Sequence, residues 1–303
     1  MYAIQTTALH KRFRRVHAVR DVNLTVEVGS VYALMGPNGA GKTTLIKLLM
    51  NLMSPTVGQI LVYGAGAGRI EGRALETIGY VSENQKLPDW MSVGMFLAYC
   101  RPFYSTWDNA LEQRLVKRFE LPLKRRLKHL SRGMRMKAAL ASALAFHPKL
   151  IVLDEPLSGL DPLVRDELMA SLKELAQETT VLLSSHDLAE IETFSSHIGY
   201  MQDGQLLLSE PKSNVLARFR IVTATADAPF AVPSTLPADW LHFSSTGSTA
   251  NWAETAYDAD RSAARAREIL GPAQLSSAPM TLREVFLTMA RKTAPPQPTS
   301  EAQ

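Results

Sequence analysis

A chain of 303 residues, 46% hydrophobic and 20% charged, is long enough for a sizeable core and for two domains, and has the balance of an ordinary folded protein. One cysteine, Cys100, excludes an intrachain disulfide framework and a cysteine metal knuckle, which suits a reducing compartment. A net charge of +4 lacks the density of a nucleic-acid-binding arm, no apolar run approaches the ~18–20 residues of a membrane span, and Met1–Thr7 lacks the basic and apolar regions of a signal peptide.

Residues 1 to about 35 read as strands, with Val22, Leu24, Val26 and Val28 alternating. Phe13 sits in a basic turn, His10-Lys11-Arg12-Phe13-Arg14-Arg15, where an aromatic can cover a hydrophobic edge or stack on a base. Ser30–Met35 reads as a buried strand, and Leu45, Ile46, Leu48, Leu49 and Leu52 repeat at helical spacing. Between them lies Gly36-Pro37-Asn38-Gly39-Ala40-Gly41-Lys42-Thr43-Thr44, which meets the pattern G-x-x-x-x-G-K-[ST]. Glycines let successive backbone N–H groups turn toward phosphate oxygens, Lys42 adds a point charge, and the Thr43 hydroxyl can ligate Mg²⁺. The strand before and the helix after are the context this phosphate cradle requires.

Gln59–Val62 and Ile78–Val81 read as further strands, followed by a helical stretch from about 84 to 147. Within it Trp90 lies on a loop, where partner docking and core packing are both open. Lys124–Lys128 is a basic cluster that suits either a solvated loop or a contact with acidic lipid or a membrane partner. Leu111, Leu115 and Phe119 share one helical face, and a second helix starts at Ser131. Leu150–Leu153 is a continuous apolar run suited to a strand covered on both faces, and it ends in Asp154 and Glu155. Alternation sends these acids to opposite sides, so they should do different jobs: Asp154 on Mg²⁺, Glu155 on the attacking water. Alone, the two acids would equally suit a solvated strand end.

A helix opened by Pro162, a strand over Val181–Leu183, a helix from Asp187 and a hairpin across Asp203-Gly204 follow. Pro211–Arg220 reads as a closing helix and linker. Beyond it the composition shifts toward Pro, Ala, Ser and Thr, with a helix expected over Arg261–Leu270 and a capping box at Thr281…Glu284.

Leu130-Ser131-Arg132-Gly133-Met134, just upstream of the Asp154 strand, resembles the signature motif of ATP-binding-cassette (ABC) transporter ATPase subunits. In that resemblance residues 36–44 are the Walker A loop, Leu150–Glu155 the Walker B strand, Ser158-Gly159-Leu160-Asp161 the D-loop, and His186 the switch histidine. Phe13 takes the place of the adenine-stacking aromatic. Arg132 replaces the first signature glycine and Met134 the glutamine. Glu83 aligns with the Q-loop glutamine that senses Mg²⁺, with Gln85 two positions late as the alternative.

The resemblance implies an α/β fold: a P-loop NTPase (ABC ATPase) core with an antiparallel β subdomain and an inserted helical subdomain. It covers 1–218, with the helical subdomain at about 84–147. Residues 219–292 are expected to form a small α+β accessory domain, and 293–303 a disordered tail. It further implies ATP and Mg²⁺ as ligands, with Thr43, Asp154 and Glu83 on the metal and Glu155 and His186 catalytic. Ser131, Arg132, Gly133 and Met134 would contact the ATP of a second ATPase copy, in a homodimer or in a heterodimer with a related subunit, since the chain has one phosphate loop. The implied function is the ATP-hydrolysing subunit of a transporter, on the exporter side by analogy. It would lie on the cytoplasmic face of the membrane against a separate integral-membrane permease, with no nucleic-acid partner. The alternative is a non-transport ABC ATPase acting as a soluble regulatory or remodelling factor.

Overall fold

The computed structural model describes residues 1–66, 76–175, 179–187, 192–231, 233 and 235–292. The helix expected from Asp187 and the expected tail, 293–303, fall on residues outside these. The chain divides into two compact units, Met1–Ser209 and Glu210–Gln303.

In the first unit, β1 (Tyr2–Phe13) pairs antiparallel with β2 (Val16–Val22), β3 (Thr25–Glu27) and β5 (Val57–Val62), which in turn pairs with β6 (Ala65–Gly66). This sheet buries Ile4, Leu9, Val22, Leu24 and Val26 in the core and exposes Asn23, Thr25 and Glu27 between and beside them. The second sheet runs β11 (Gln205–Pro211), β10 (His197–Gln202), β4 (Val31–Met35), β9 (Thr180–Ser185), β8 (Leu150–Asp154) and β7 (Ile78–Ser82). The last five are parallel, and every residue of β4, β8 and β9 is buried, as continuous apolar strands covered on both faces require.

Register places the function. Met35 pairs with Ser185, Asp154 with Ser184, and Ser82 with Asp154. Four strands therefore end side by side, and the loops leaving their carboxyl ends share one edge of the sheet, the usual place for a ligand in such sheets.

The phosphate loop leads into α1 (Lys42–Leu49). This helix stops one turn short of the apolar repeat: Asn51 adopts φ +53°, Leu52 N–H donates to Lys47 C=O at 2.9 Å, and Leu52 is exposed. A left-handed residue that closes the last carbonyls ends a helix whatever the apolar periodicity beyond it.

Between β7 and β8 come α2 (Val93–Cys100), α3 (Asn109–Arg118) and α4 (Arg132–Leu144). Side-chain caps set their starts: Ser92 Oγ accepts from Met95 N–H, Asp108 from Ala110 and Leu111 N–H, and Ser131 Oγ from Met134 N–H. After β8, α5 spans Pro162–Leu175, with Pro162 at its first position. The β10–β11 turn has Asp203 at φ +49° and Gly204 at φ +81°, the paired left-handed residues of a tight hairpin.

The second unit holds α6 (Lys212–Arg218), an antiparallel sheet in the order β13 (Trp240–Thr246), β14 (Thr249–Glu254), β12 (Arg220–Thr225), β15 (Gln274–Pro279), and the helices α7 (Ala259–Leu270) and α8 (Leu282–Lys292). The capping box at the start of α8 forms: Thr281 N–H donates to Glu284 Oε2 at 2.7 Å and Glu284 N–H to Thr281 Oγ1 at 3.3 Å. Trp240 and Trp252 stack at 4.2 Å in the core of this unit. Beside them the fully buried Glu254 accepts from Arg265 at 3.0 Å and from Ser262 at 2.6 Å. Arg265→Met leaves that carboxylate buried without its cation, which is expected to cost about 3–5 kcal/mol. Thermal melting followed by tryptophan fluorescence reads the loss directly, because Trp240 and Trp252 report on the same core.

Candidate nucleotide site

A cleft of about 610 Å³ opens at the sheet edge. Phe13, Val16, His17 and Arg20 form one wall, residues 37–44 the floor, and Asp203 with Gly204 a further side. Its volume lies in the range of small-molecule sites. A groove of about 670 Å³ along Leu48, Asn51, Ser54 and Gln59 is slightly larger, but among the described residues its lining carries no titratable side chain.

The floor is shaped by its glycines. Gly36 has φ +149° and Gly41 φ +105°; a side chain on the first would collide with the Met201 carbonyl, and on the second with that of Ala18. Gly39, at φ +83°, has open space where a Cβ would stand. Gly41 is the N-cap of α1 and makes no side-chain cap bond, so the first N–H groups of the helix face the cleft without one.

At the back of the loop, buried Lys42 donates to the Gly36 carbonyl at 2.6 Å and lies 3.1 Å from Glu155 Oε1. His186 Nδ1 meets Glu155 Oε2 at 2.8 Å. Glu155 itself adopts φ +52°, a strained conformation for a residue other than glycine and one that recurs at functional sites. One strand position earlier, Asp154 accepts from Thr43 Oγ1 at 3.1 Å and Ser184 Oγ at 2.8 Å. Burial holds the Asp154 carboxyl above the usual carboxylate range, against the opposing pull of those two hydroxyls.

The structure thus gathers Lys42, Thr43, Asp154, Glu155 and His186, and places Phe13 on the cleft wall, 42% exposed. Thr44 and residues 37–40 line the cleft as well. Ser131, Arg132, Gly133 and Met134 do not line it; they form the cap and first turn of α4, with Gly133 packed against Val164 so closely that a side chain would not fit. Glu83 forms an ion pair with Arg132, and its N–H donates to the Asp154 carbonyl at 2.9 Å; Gln85 is exposed. In the segment after Glu155, Ser158 N–H donates to the Glu155 carbonyl at 3.3 Å, Gly159 has φ +65°, Leu160 is buried, and Asp161 Oδ1 accepts from Val164 N–H at 3.1 Å at the start of α5.

Sequence reading missed Ser184, which donates to Asp154 and accepts from Glu155 N–H at 3.0 Å, so that one hydroxyl orients both acids. The polar Ser184-Ser185 pair ending an apolar strand was the available signal. The cleft positions of His17, Arg20 and Asp203 had none.

Residues 19–158 match the ABC transporter family model. An ABC transporter ATP-binding protein of Nostoc is 34% identical over 68% of this chain and 65% of its own length, so the chain spans just under two thirds of that relative. The bacitracin transport ATP-binding protein BcrA of Bacillus licheniformis is 33% identical over 72% of each chain. Among solved structures, an ATP-binding subunit of an ABC transporter superposes with a TM-score of 0.65 at 26% identity, covering 71% of this chain and 92% of that one. With the phosphate cradle, the paired acids and the sheet edge on which they meet, these matches place the chain in the family of ABC transporter ATP-binding proteins.

Proposed function

We propose that the chain hydrolyses ATP and that two copies, each completing the other's site, drive export through a separate membrane permease from the cytoplasmic face. The cluster of Lys42, Glu155 and His186 carries the hydrolysis reading. In the free chain Lys42 and Glu155 neutralise each other. A polyphosphate entering the cleft offers Lys42 a stronger anion, and Glu155, released from the pair, can accept a proton from water. His186 is positioned by Glu155 to donate toward the terminal phosphate. Phe13 offers its ring to the base.

The donor set fits Mg²⁺: the Thr43 hydroxyl and the Asp154 carboxylate are hard oxygen ligands 3.1 Å apart, and this metal is usually held by one or two protein oxygens plus phosphate and water. When bound, it supplies charge neutralisation at the phosphates. Ser131 and Gly133, at the start of α4, lie outside their own cleft, and the hydroxyl of one and the backbone N–H of the other suit contact with the nucleotide of a second copy.

Among the described residues no helix is long and apolar enough to cross a membrane. One exposed surface suits a separate membrane partner. Met95, Tyr99 and Phe103 recur every four residues along and beyond α2 and are each more than half exposed, as is Trp90. Leu123, Lys124, Arg125 and Arg126 run alongside, with Val93 N–H on the Arg125 carbonyl at 3.0 Å and Gly94 N–H on that of Leu123 at 2.9 Å. An apolar stripe rimmed by cations suits the cytoplasmic segment of a membrane protein. The similarity to a bacitracin transport ATP-binding protein supports the transport role. Co-purification from membranes tests the reading: a bound integral protein is expected, lost in Trp90→Ala/Tyr99→Ala while the basal ATP turnover of the isolated chain stays. A purely soluble partner would favour the remodelling-factor alternative.

A further inference from the structure

We infer that Arg132 is a positioning residue for the Asp154–Glu155 pair, and that Glu83 serves as its counterion rather than as a ligand of the divalent cation. The inference rests on the ATP-hydrolysing reading above. Arg132 is the first residue of α4, where the helix dipole disfavours a positive charge. The compensating anion comes from Glu83, 49 residues earlier in the chain.

Each side of the guanidinium meets a segment that holds one of the two acids. Glu83 follows β7, and its own N–H donates to the Asp154 carbonyl at 2.9 Å. On the other side the guanidinium lies against Gly159, whose backbone sits at φ +65°. Ser158, one residue earlier, donates its N–H to the Glu155 carbonyl at 3.3 Å. One cation therefore braces both loops that flank the acids. A brace is needed because Glu155 sits at φ +52°, a conformation that persists only where its surroundings enforce it. Arg132 is 47% exposed and touches neither acid, which makes it a residue that acts through others.

The test uses the full chain with Arg132→Gln, Glu83→Gln and the double variant. Exposed ion pairs add little to global stability, so melting temperatures are expected to stay within about 2 °C of wild type. Each single substitution is expected to lower kcat about tenfold with KM for ATP unchanged, and the double variant is expected to be no slower than either single one. The Mg²⁺ concentration for half-maximal turnover is expected to stay fixed in all three. In the nucleotide-free chain, amide hydrogen exchange at Ser158 and Leu160 is expected to accelerate alike in both single variants. Multiplying losses, a raised Mg²⁺ requirement in Glu83→Gln alone, or unchanged exchange would each overturn the inference. The exchange measurement needs no turnover, so a wild-type chain that fails to hydrolyse ATP would sink the ATPase reading separately.

Discussion

Glu155→Gln is expected to leave ATP affinity within about threefold of wild type while lowering turnover by roughly 10²–10⁴-fold, the usual contribution of a general base. The geometry makes the two effects separable. Glu155 lies 3.1 Å from Lys42 and 2.8 Å from His186, behind the phosphate loop, and is not among the residues that line the cleft. An amide of the same shape keeps the hydrogen bond with His186 but cannot take a proton from water. It also leaves Lys42 without a competing carboxylate, so phosphate binding is not weakened. If ATP holds two copies together until it is cleaved, the variant should accumulate as an ATP-dependent dimer by size-exclusion chromatography. Wild-type turnover would remove Glu155 from the catalytic role. A monomer with ATP bound would remove the dimer cycle.

The parts of this site that a sequence can display are those with local spacing. Gly36 to Thr44 between a strand and a helix is a pattern within nine residues, and the apolar run Leu150–Leu153 states its own burial. The Asp203-Gly204 turn and the Thr281–Glu284 box are local in the same sense, and both form as their residue types dictate. The remainder depends on pairings across long stretches of chain, which no period encodes. Ser184 reaches Asp154 only because β8 and β9 are neighbours in a fixed register. Arg132 and Glu83 read as two unrelated departures from a motif, yet in the fold they are opposite charges in one contact. The left-handed backbone of Glu155 was equally hidden, since nothing in its type asks for it. Even α1 shows the limit from the other side: its apolar repeat continues to Leu52, and a single backbone turn at Asn51 overrules it.

Lys42→Ala is expected to weaken ATP binding by at least about 100-fold, the equivalent of roughly 2.7 kcal/mol, since charge-assisted hydrogen bonds contribute about 1.5–3 kcal/mol each. The same substitution should also destabilise the free chain. Lys42 is 5% exposed and Glu155 12%, so removing the cation strands a nearly buried carboxylate with His186 as its remaining partner. Breaking such a pair costs about 3 kcal/mol or more, or ~6–12 °C in melting temperature for a unit of this size. These two losses have different origins, and a second substitution tells them apart. In Lys42→Ala/Glu155→Gln the stranded charge is gone, so the melting temperature should recover most of its deficit. The affinity should not recover, because the phosphate has still lost its cation. Calorimetric titration with ATP alongside thermal melting of the three chains gives both answers. Unchanged affinity in Lys42→Ala would sink the phosphate-cradle assignment. A melting deficit that persists in the double variant would show that the lysine stabilises the loop through the Gly36 carbonyl, 2.6 Å away, rather than through Glu155.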